Sequence, residues 1–299
     1  MNDEIHIGIA CNDAYACPAG VLLSSIIHHT GRRICFHLFT CGISNENLAL
    51  LRRIVSLSST AQLDVVRGIE VGHAGKKHAI EYLSDETWCR LMAPALLPGI
   101  DKLLWLDIDL LVRGDVARIY DIDISDHMAA GVEEEQMRTN GYPESIGMDA
   151  SKGYVNAGVL LLNLRLLRDS GMGGKLIEGI KSANGRFMDQ DVLNCVLQGR
   201  IALLPRCFNF NLYYYRVYKR ERGKALIIHF TGPEKPWHLK GRRRWCNRLW
   251  RMSAVRMRFA LFTRTNNRLL NGLVARSWFF AASIVDSLSK TFKCKTGLK

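Results

Sequence analysis

The sequence predicts an α/β protein built on a mostly parallel central sheet and followed by a basic, helical C-terminal tail. Three observations carry that prediction. Short runs such as IHIGIA (5–10), ICFHLFT (34–40) and KLLWL (102–106) are apolar on both faces, the pattern of strands in a sheet covered on both sides. Stretches of helical periodicity stand between them, as crossovers between parallel strands require. The charge is also polarised along the chain. Residues 235–299 hold 16 of the 41 Lys and Arg but 1 of the 28 Asp and Glu, so they carry +15 and leave the first 234 residues at −2.

Each element follows from its own residues. IHIGIA is the first strand, followed by the apolar helical pattern VLLSSIIHH (21–29) and by the strand ICFHLFT. SNENLALLRRIVSLSS (44–59) reads as a helix, with Ser44 as N-cap, Glu46 in the first turn and Leu48, Leu51 and Val55 at helical spacing. QLDVV (62–66) is a third strand, and ETWCRLMAPALL (86–97) a helix interrupted at Pro94. KLLWL is the fourth strand. Beyond residue 120 the order is less regular: MAAGVE (128–133), YVNAGVLLLNL (154–164), a helix from DQDVLNCVLQ (189–198), RIALLP (200–205) and ALIIHF (225–230). Composition changes near residue 240, where GRRRW begins, which predicts a domain over 1–240 and a tail over 241–299.

At 299 residues and 48% hydrophobic, the chain is long enough to bury a large core, and its composition is neither disordered nor collagenous. MNDEIHIGIACN has no basic flank, long apolar core or small-residue cleavage site, so it does not read as a signal peptide. No apolar run reaches the roughly eighteen residues of a membrane span. The nine cysteines are never spaced CxxC, which favours reduced thiols over disulfides or a CxxC-type zinc site. These features predict a cytoplasmic protein.

KLLWLDIDLLVRGD (102–115) puts two carboxylates into an otherwise apolar run. In extended chain, side chains two apart point to the same side, so Asp107 and Asp109 can converge on one ion while Ile108 faces away. Paired carboxylates at a strand end suit Mg²⁺ or Mn²⁺, which also bind phosphates. The same residues read equally as exposed or helix-capping aspartates ahead of Arg113. HFTGPEKPWH (229–238) adds His229 at a strand end, then Gly232 and Lys235, a lysine able to meet a phosphate. Asn156 stands at the mouth of another apolar strand, and DQD (189–191) at the opening of a helix.

In this order, WLDIDLLV, YVNAGVLLLNL, FMDQDVLN, FNFN and HFTGPEKPWH resemble the motifs of the retaining glycosyltransferases of family 8, above all the bacterial lipo-oligosaccharide and lipopolysaccharide-core hexosyltransferases, over about residues 5–238. The resemblance implies the GT-A nucleotide-sugar-binding architecture. It implies that Asp107, Asp109 and His229 hold Mn²⁺ (or Mg²⁺) on the diphosphate of a UDP-sugar, with Gly232 and Lys235 touching that diphosphate. GIACNDAY matches the uridine loop, with Ala10, Asn12 and Tyr15 as contacts. Arg90, Ile108, Asn156, Ala157, Asp189 and Gln190 match donor contacts, and Glu133 and Thr87 fall where the acceptor is met. Two positions depart from the family pattern: Asn12 stands where Asp is usual, and Ala14 where Asn is frequent.

Retention of anomeric configuration, also implied, has two routes. An enzyme nucleophile gives double displacement, for which Asp191 is the nearest carboxylate. Front-face attack needs none, and is the reading favoured by Gln190, whose amide is a poor nucleophile. The tail mixes arginine with Trp245, Trp250, Phe259 and Phe262 over 242–264 and has an apolar patch at 277–288. Such a composition suits an anionic membrane surface. The resemblance to lipo-oligosaccharide enzymes, whose tails are similarly basic and aromatic, implies a lipid-linked acceptor and a peripheral position on the cytoplasmic face of the inner membrane. Arginine with aromatics also suits nucleic acid, but with no basic excess before residue 235 no nucleic-acid partner is expected. A nucleotidyltransferase is disfavoured because no glycine-rich, lysine-bearing loop stands near the N-terminus.

Overall fold

The structure, a computed structural model, describes residues 4–67, 85–183, 186–238 and 245–265. The chain falls into two compact units, Met1–Ala254 and Val255–Lys299. The boundary expected at residue 240 and the apolar patch at 277–288 lie outside the described residues.

The first unit begins β1 (Glu4–Ala10), α1 (Ala16–His29), β2 (Arg33–Phe39), α2 (Asn45–Val55) and β3 (Ala61–Val66). α2 starts where its cap predicts, the Ser44 hydroxyl accepting from the Asn47 N–H at 3.3 Å. After α3 (Cys89–Leu96) come β4 (Lys102–Leu106), β5 (Leu110–Val112), the short α4 (Ala117–Tyr120) and β6 (Ala129–Glu133). Two further short helices, α5 (Glu135–Thr139) and α6 (Tyr142–Ser145), precede β7 (Val155–Asn163). α7 (Leu164–Asp169), α8 (Met172–Ser182), α9 (Asp189–Val196), β8 (Ile201–Leu203), β9 (Phe210–Asn211), α10 (Leu212–Val217) and β10 (Ile227–His229) follow. α11 (Trp245–Thr265) lies within the basic tail over 241–299, the rest of which is outside the described residues. No described helix is long and apolar enough to cross a membrane.

Seven strands form the main sheet in the order β3-β2-β1-β4-β7-β6-β8. Pairing is parallel except along β7, which runs antiparallel to both β4 and β6. A smaller sheet, β5-β10-β9, stands beside it. Ile5, Ile7 and Ile9 of β1 are fully buried, as is Leu104 of β4. β7 is buried from Val155 to Leu162, which is why VNAGVLLL reads as a continuous apolar run and not as an alternation.

One local expectation changes. Pro94 does not interrupt its helix but lies inside α3. The missing N–H costs one helical bond, and the helix, only eight residues long, keeps its place through the buried Cys89, Leu91 and Ala93.

Candidate active site

β4 ends at Leu106, and the antiparallel β7 begins beside that end, so the loops after β1 and β4 and the first residues of β7 meet at one edge of the sheet. β10 brings a further segment to the same place, its His229 paired with Leu110 of β5 and Asn211 of β9. Together they bound a cleft of about 650 Å³, within the range of small-molecule sites.

Asp107 and Asp109 converge here, but not through the same-side rule of a straight strand. Asp107 follows the last residue of β4, Ile108 and Asp109 form a turn, and β5 of the other sheet begins at Leu110. Backbone bonds fix both ends: the Asp107 N–H donates to the Gly158 carbonyl at 2.8 Å, and the Phe230 N–H to the Asp109 carbonyl at 3.0 Å. The ligand atoms of Asp107, Asp109 and His229 all lie within 4.8 Å of one another. His229 Nε2 is 3.2 Å from Asp109 Oδ1, and Lys235 Nζ is 2.6 Å from Asp109 Oδ2. Burial works against the Asp109 charge, but Lys235 and His229 outweigh it and hold the carboxyl far below its usual range.

The donor set fits a divalent cation. Two carboxylates and an imidazole are acceptable to Mn²⁺, and His229 is aimed by its other nitrogen, Nδ1, which meets Asn209 Oδ1 at 2.9 Å. Asn209 in turn donates to Asn156 Oδ1 at 2.8 Å. Room for the imidazole depends on Gly158, where an added Cβ would come within 2.3 Å of His229 Cε1 and 3.0 Å of Asp107 Oδ2.

Arg90 is buried at the back of the cleft. Its guanidinium pairs with Asp107 at 2.8 Å and with Asp189 at 2.8 Å, donates to the Ala157 carbonyl, and lies 5.5 Å over the Trp105 ring. Burial raises Asp189 to about 7, against the pull of Arg90. α9 delivers Asp189 and Gln190 by way of Met188, whose φ of 46° is unusual for a side chain of that size.

Gln190 bridges the cleft wall. Its Oε1 accepts from the Ala157 N–H at 3.0 Å and from Asn156 Nδ2 at 3.2 Å, while Nε2 donates to Glu134 Oε2 at 3.2 Å and to the Tyr154 hydroxyl at 3.1 Å. Asp191, one residue on, is not among the cleft-lining residues. Its carboxylate accepts from Tyr142, Tyr154 and the Phe187 N–H.

Ala10, Asn12, Tyr15, Thr87, Ile108, Asn156, Ala157, Gly232 and Lys235 also line the cleft. Tyr15 stands edge-on to Trp237 at 6.4 Å. Gly232 has a φ of 89°, a conformation that favours glycine in this turn. Glu133 is not a lining residue; it pairs with Arg138 at 3.3 Å. The adjacent Glu134 lines the cleft instead, because the β6–β7 register shifts between Gly131 and Glu133.

Several contributors escaped the sequence reading: Glu86, Glu134, Tyr154, Gly158, Asn209 and Trp237. A lone glycine in the run AGVLLL was a readable signal for Gly158, since such a residue marks a close approach. Glu86 had none. It lies in a short 3₁₀ segment and receives a hydrogen bond from Asn12 Nδ2 at 3.2 Å.

The family model for glycosyl transferase family 8 matches residues 6–241, most of the chain. The chain belongs to that family. A putative glycosyltransferase of Haemophilus influenzae is 26% identical over 242 residues, spanning 78% of this chain and 73% of that one. Lipopolysaccharide 1,3-galactosyltransferase of Salmonella typhimurium is 26% identical over 252 residues, 80% of this chain and 74% of that one. Among solved structures, galactosyltransferase LgtC in complex with donor and acceptor sugar analogs superposes with a TM-score of 0.71 at 27% identity, covering 84% of this chain and 95% of that one. This family 8 chain is thus a glycosyltransferase with a GT-A-like, mostly parallel sheet.

Proposed function

We propose that the chain is a retaining, metal-dependent hexosyltransferase that moves galactose or glucose from a UDP-sugar to a lipopolysaccharide or lipo-oligosaccharide core acceptor. The observation that carries this reading is the convergence of Asp107 and Asp109, from one turn, with His229, from the distant end of β10, at a cleft that also holds Lys235.

Asp107, Asp109 and His229 would hold the cation, Mn²⁺ or Mg²⁺, which when bound neutralises charge on the donor diphosphate. Lys235 adds a second positive charge where the leaving group becomes negative, and removing one such contact costs about 10²–10³ in rate, roughly 3–4 kcal/mol. Ala10, Asn12 and Tyr15 sit where a uridine fits, and Arg90, Ile108, Asn156, Ala157 and Asp189 line the space for the sugar. Gln190 faces that space with a neutral amide, and Asp191 is held away from it by three hydrogen bonds. Both features favour front-face attack over a covalent intermediate on Asp191. The acceptor is read as entering past Thr87 and Glu134, the latter taking the place expected for Glu133. The basic tail is read as a peripheral anchor on anionic lipid at the cytoplasmic face of the inner membrane.

Incubating the protein with a panel of UDP-sugars and Mn²⁺ and scoring released UDP tests the reading. Wild type should release UDP only with metal, and Asp109→Asn should lose about 10²–10³ in rate. Undiminished release by Asp109→Asn in chelator would rule the mechanism out.

A further inference from the structure

Away from the cleft, β1 and β2 carry a second group of ligating side chains. His6, Cys35 and His37 each offer one donor atom, and these all lie within 4.8 Å of one another. The parallel register explains the grouping. His6 is the partner of Cys35, and His37, two residues further along β2, projects from the same face. Asp64 is the partner of His37 on the neighbouring β3, and its Oδ2 is 3.3 Å from Cys35 Sγ.

We propose that His6, Cys35 and His37 form a second metal site, a zinc clip across the first two parallel strands, with its fourth position on the side of Asp64.

The spacings are those of ligands around one ion. His6 Nδ1 and His37 Nε2 are 3.1 Å apart. Two nitrogens on a tetrahedral zinc, with Zn–N near 2.0–2.1 Å, lie about 3.3 Å apart. A sulfur and an oxygen on the same ion, at roughly 2.3 and 2.0 Å, lie about 3.5 Å apart, against the 3.3 Å seen between Cys35 and Asp64. His6 Nε2 lies 4.0 Å from Glu4 Oε2, on the side where a carboxylate would orient a ligating imidazole. Thiolate and imidazole select Zn²⁺, whereas the oxygen-rich set at the cleft suits Mn²⁺ or Mg²⁺. The two sites are distinct: His6 precedes Ala10 by four residues of strand, about 13 Å.

The facing nitrogens of His6 and His37 share one hydrogen across their 3.1 Å contact, so a cation between them requires that hydrogen to pass to the outer nitrogen of its own ring. Burial raises the Cys35 thiol to about 12. Binding therefore forms two Zn–N bonds and one Zn–S bond, breaks the S–H bond and releases that proton to solvent, with no change of oxidation state.

The test uses the full-length protein stripped with chelator and then titrated with Co²⁺ as a spectroscopic substitute for Zn²⁺. Wild type should show a thiolate-to-cobalt charge-transfer band that saturates at one equivalent and is abolished by added Zn²⁺. Cys35→Ala should lose the band, and His6→Asn, a change at a partly exposed position, should weaken Zn²⁺ binding by about 10–100-fold or more. Asp109→Asn should leave band and affinity unchanged, which separates this site from the cleft. Absence of the band in wild type, its persistence in Cys35→Ala, or unaltered Zn²⁺ affinity in His6→Asn overturns the proposal. If Cys35→Ala does not fold, His6→Asn decides alone.

Discussion

Gly158 is the position at which a single added methyl group tests the proposed metal centre. In Gly158→Ala the new Cβ would stand 2.3 Å from His229 Cε1 and 3.0 Å from Asp107 Oδ2 and His229 Nδ1. Carbon atoms pack at about 3.5–4.0 Å, so one side must move by roughly 1.2 Å or more. Neither side yields readily. Gly158 is inside the central β7, and its carbonyl accepts from the Asp107 N–H. His229 is held by the β5 and β9 pairings and by Asn209. Metal–ligand distances tolerate only about 0.2 Å, so the imidazole leaves the ligand set. The Mn²⁺ concentration for half activity should rise about 10–100-fold, and kcat/KM at saturating metal should fall about 10²-fold. Overpacking should also remove about 1–3 kcal/mol of stability. UDP release across a Mn²⁺ titration, with chemical denaturation alongside, measures all three. Gly174→Ala is the control: this exposed glycine of α8 has nothing within 4 Å of an added Cβ, so the change should be neutral or stabilise by about 0.4–1 kcal/mol. Wild-type metal dependence and stability in Gly158→Ala would falsify the reasoning.

Other expectations rest on separate contacts. Tyr154→Phe removes the hydrogen bond donated to Asp191 and the one accepted from Gln190 Nε2. It should cost about 1–3 kcal/mol in a denaturation series and lower kcat about tenfold with KM little changed; an unchanged kcat would exclude a positioning role for Tyr154. Asn12→Asp would set a carboxylate against Glu86 in place of the present 3.2 Å hydrogen bond. KM for UDP-sugar should rise roughly tenfold, with Glu86→Gln restoring it in the double variant; a lower KM in the single variant contradicts this. For the tail, the position of truncation matters. Trp250 is buried and packs 5.3 Å from the cleft residue Trp237, so truncation after Thr265 is the informative variant. It should weaken co-sedimentation with anionic vesicles and keep turnover on a soluble acceptor; full vesicle binding refutes a contribution to the anchor from residues beyond 265.

Much of the fold was readable because its information is local. Short apolar runs without alternation, set between helical patterns, read as strands covered on both faces, which is why β1, β2, β4 and β7 were legible. The Ser44 cap marked the start of α2 because its hydrogen bond spans three residues. Pro94 misled, since a proline's cost is local but the burial that overrides it in α3 is not. Glu133 and Glu134 could not be told apart within EEE, because a register shift between two strands decides which of them reaches the cleft.

From the sequence alone came the kinds of group present, their order along the chain, the sheet's character and the motifs that mark the family. Those depend on residue chemistry and on periodicities of two and 3.6 residues, which any segment carries with it. Tertiary structure alone decided that Asp107 and Asp109 meet through a turn between two sheets, that Asn209 aims His229, that Asp191 is held out of the cleft, and that His6 lies across from Cys35. The turn at Asp107 and Asp109 is set by where strands of two sheets end and begin; the others are distances between segments far apart in sequence, set by strand register and close packing, and no local pattern encodes such distances.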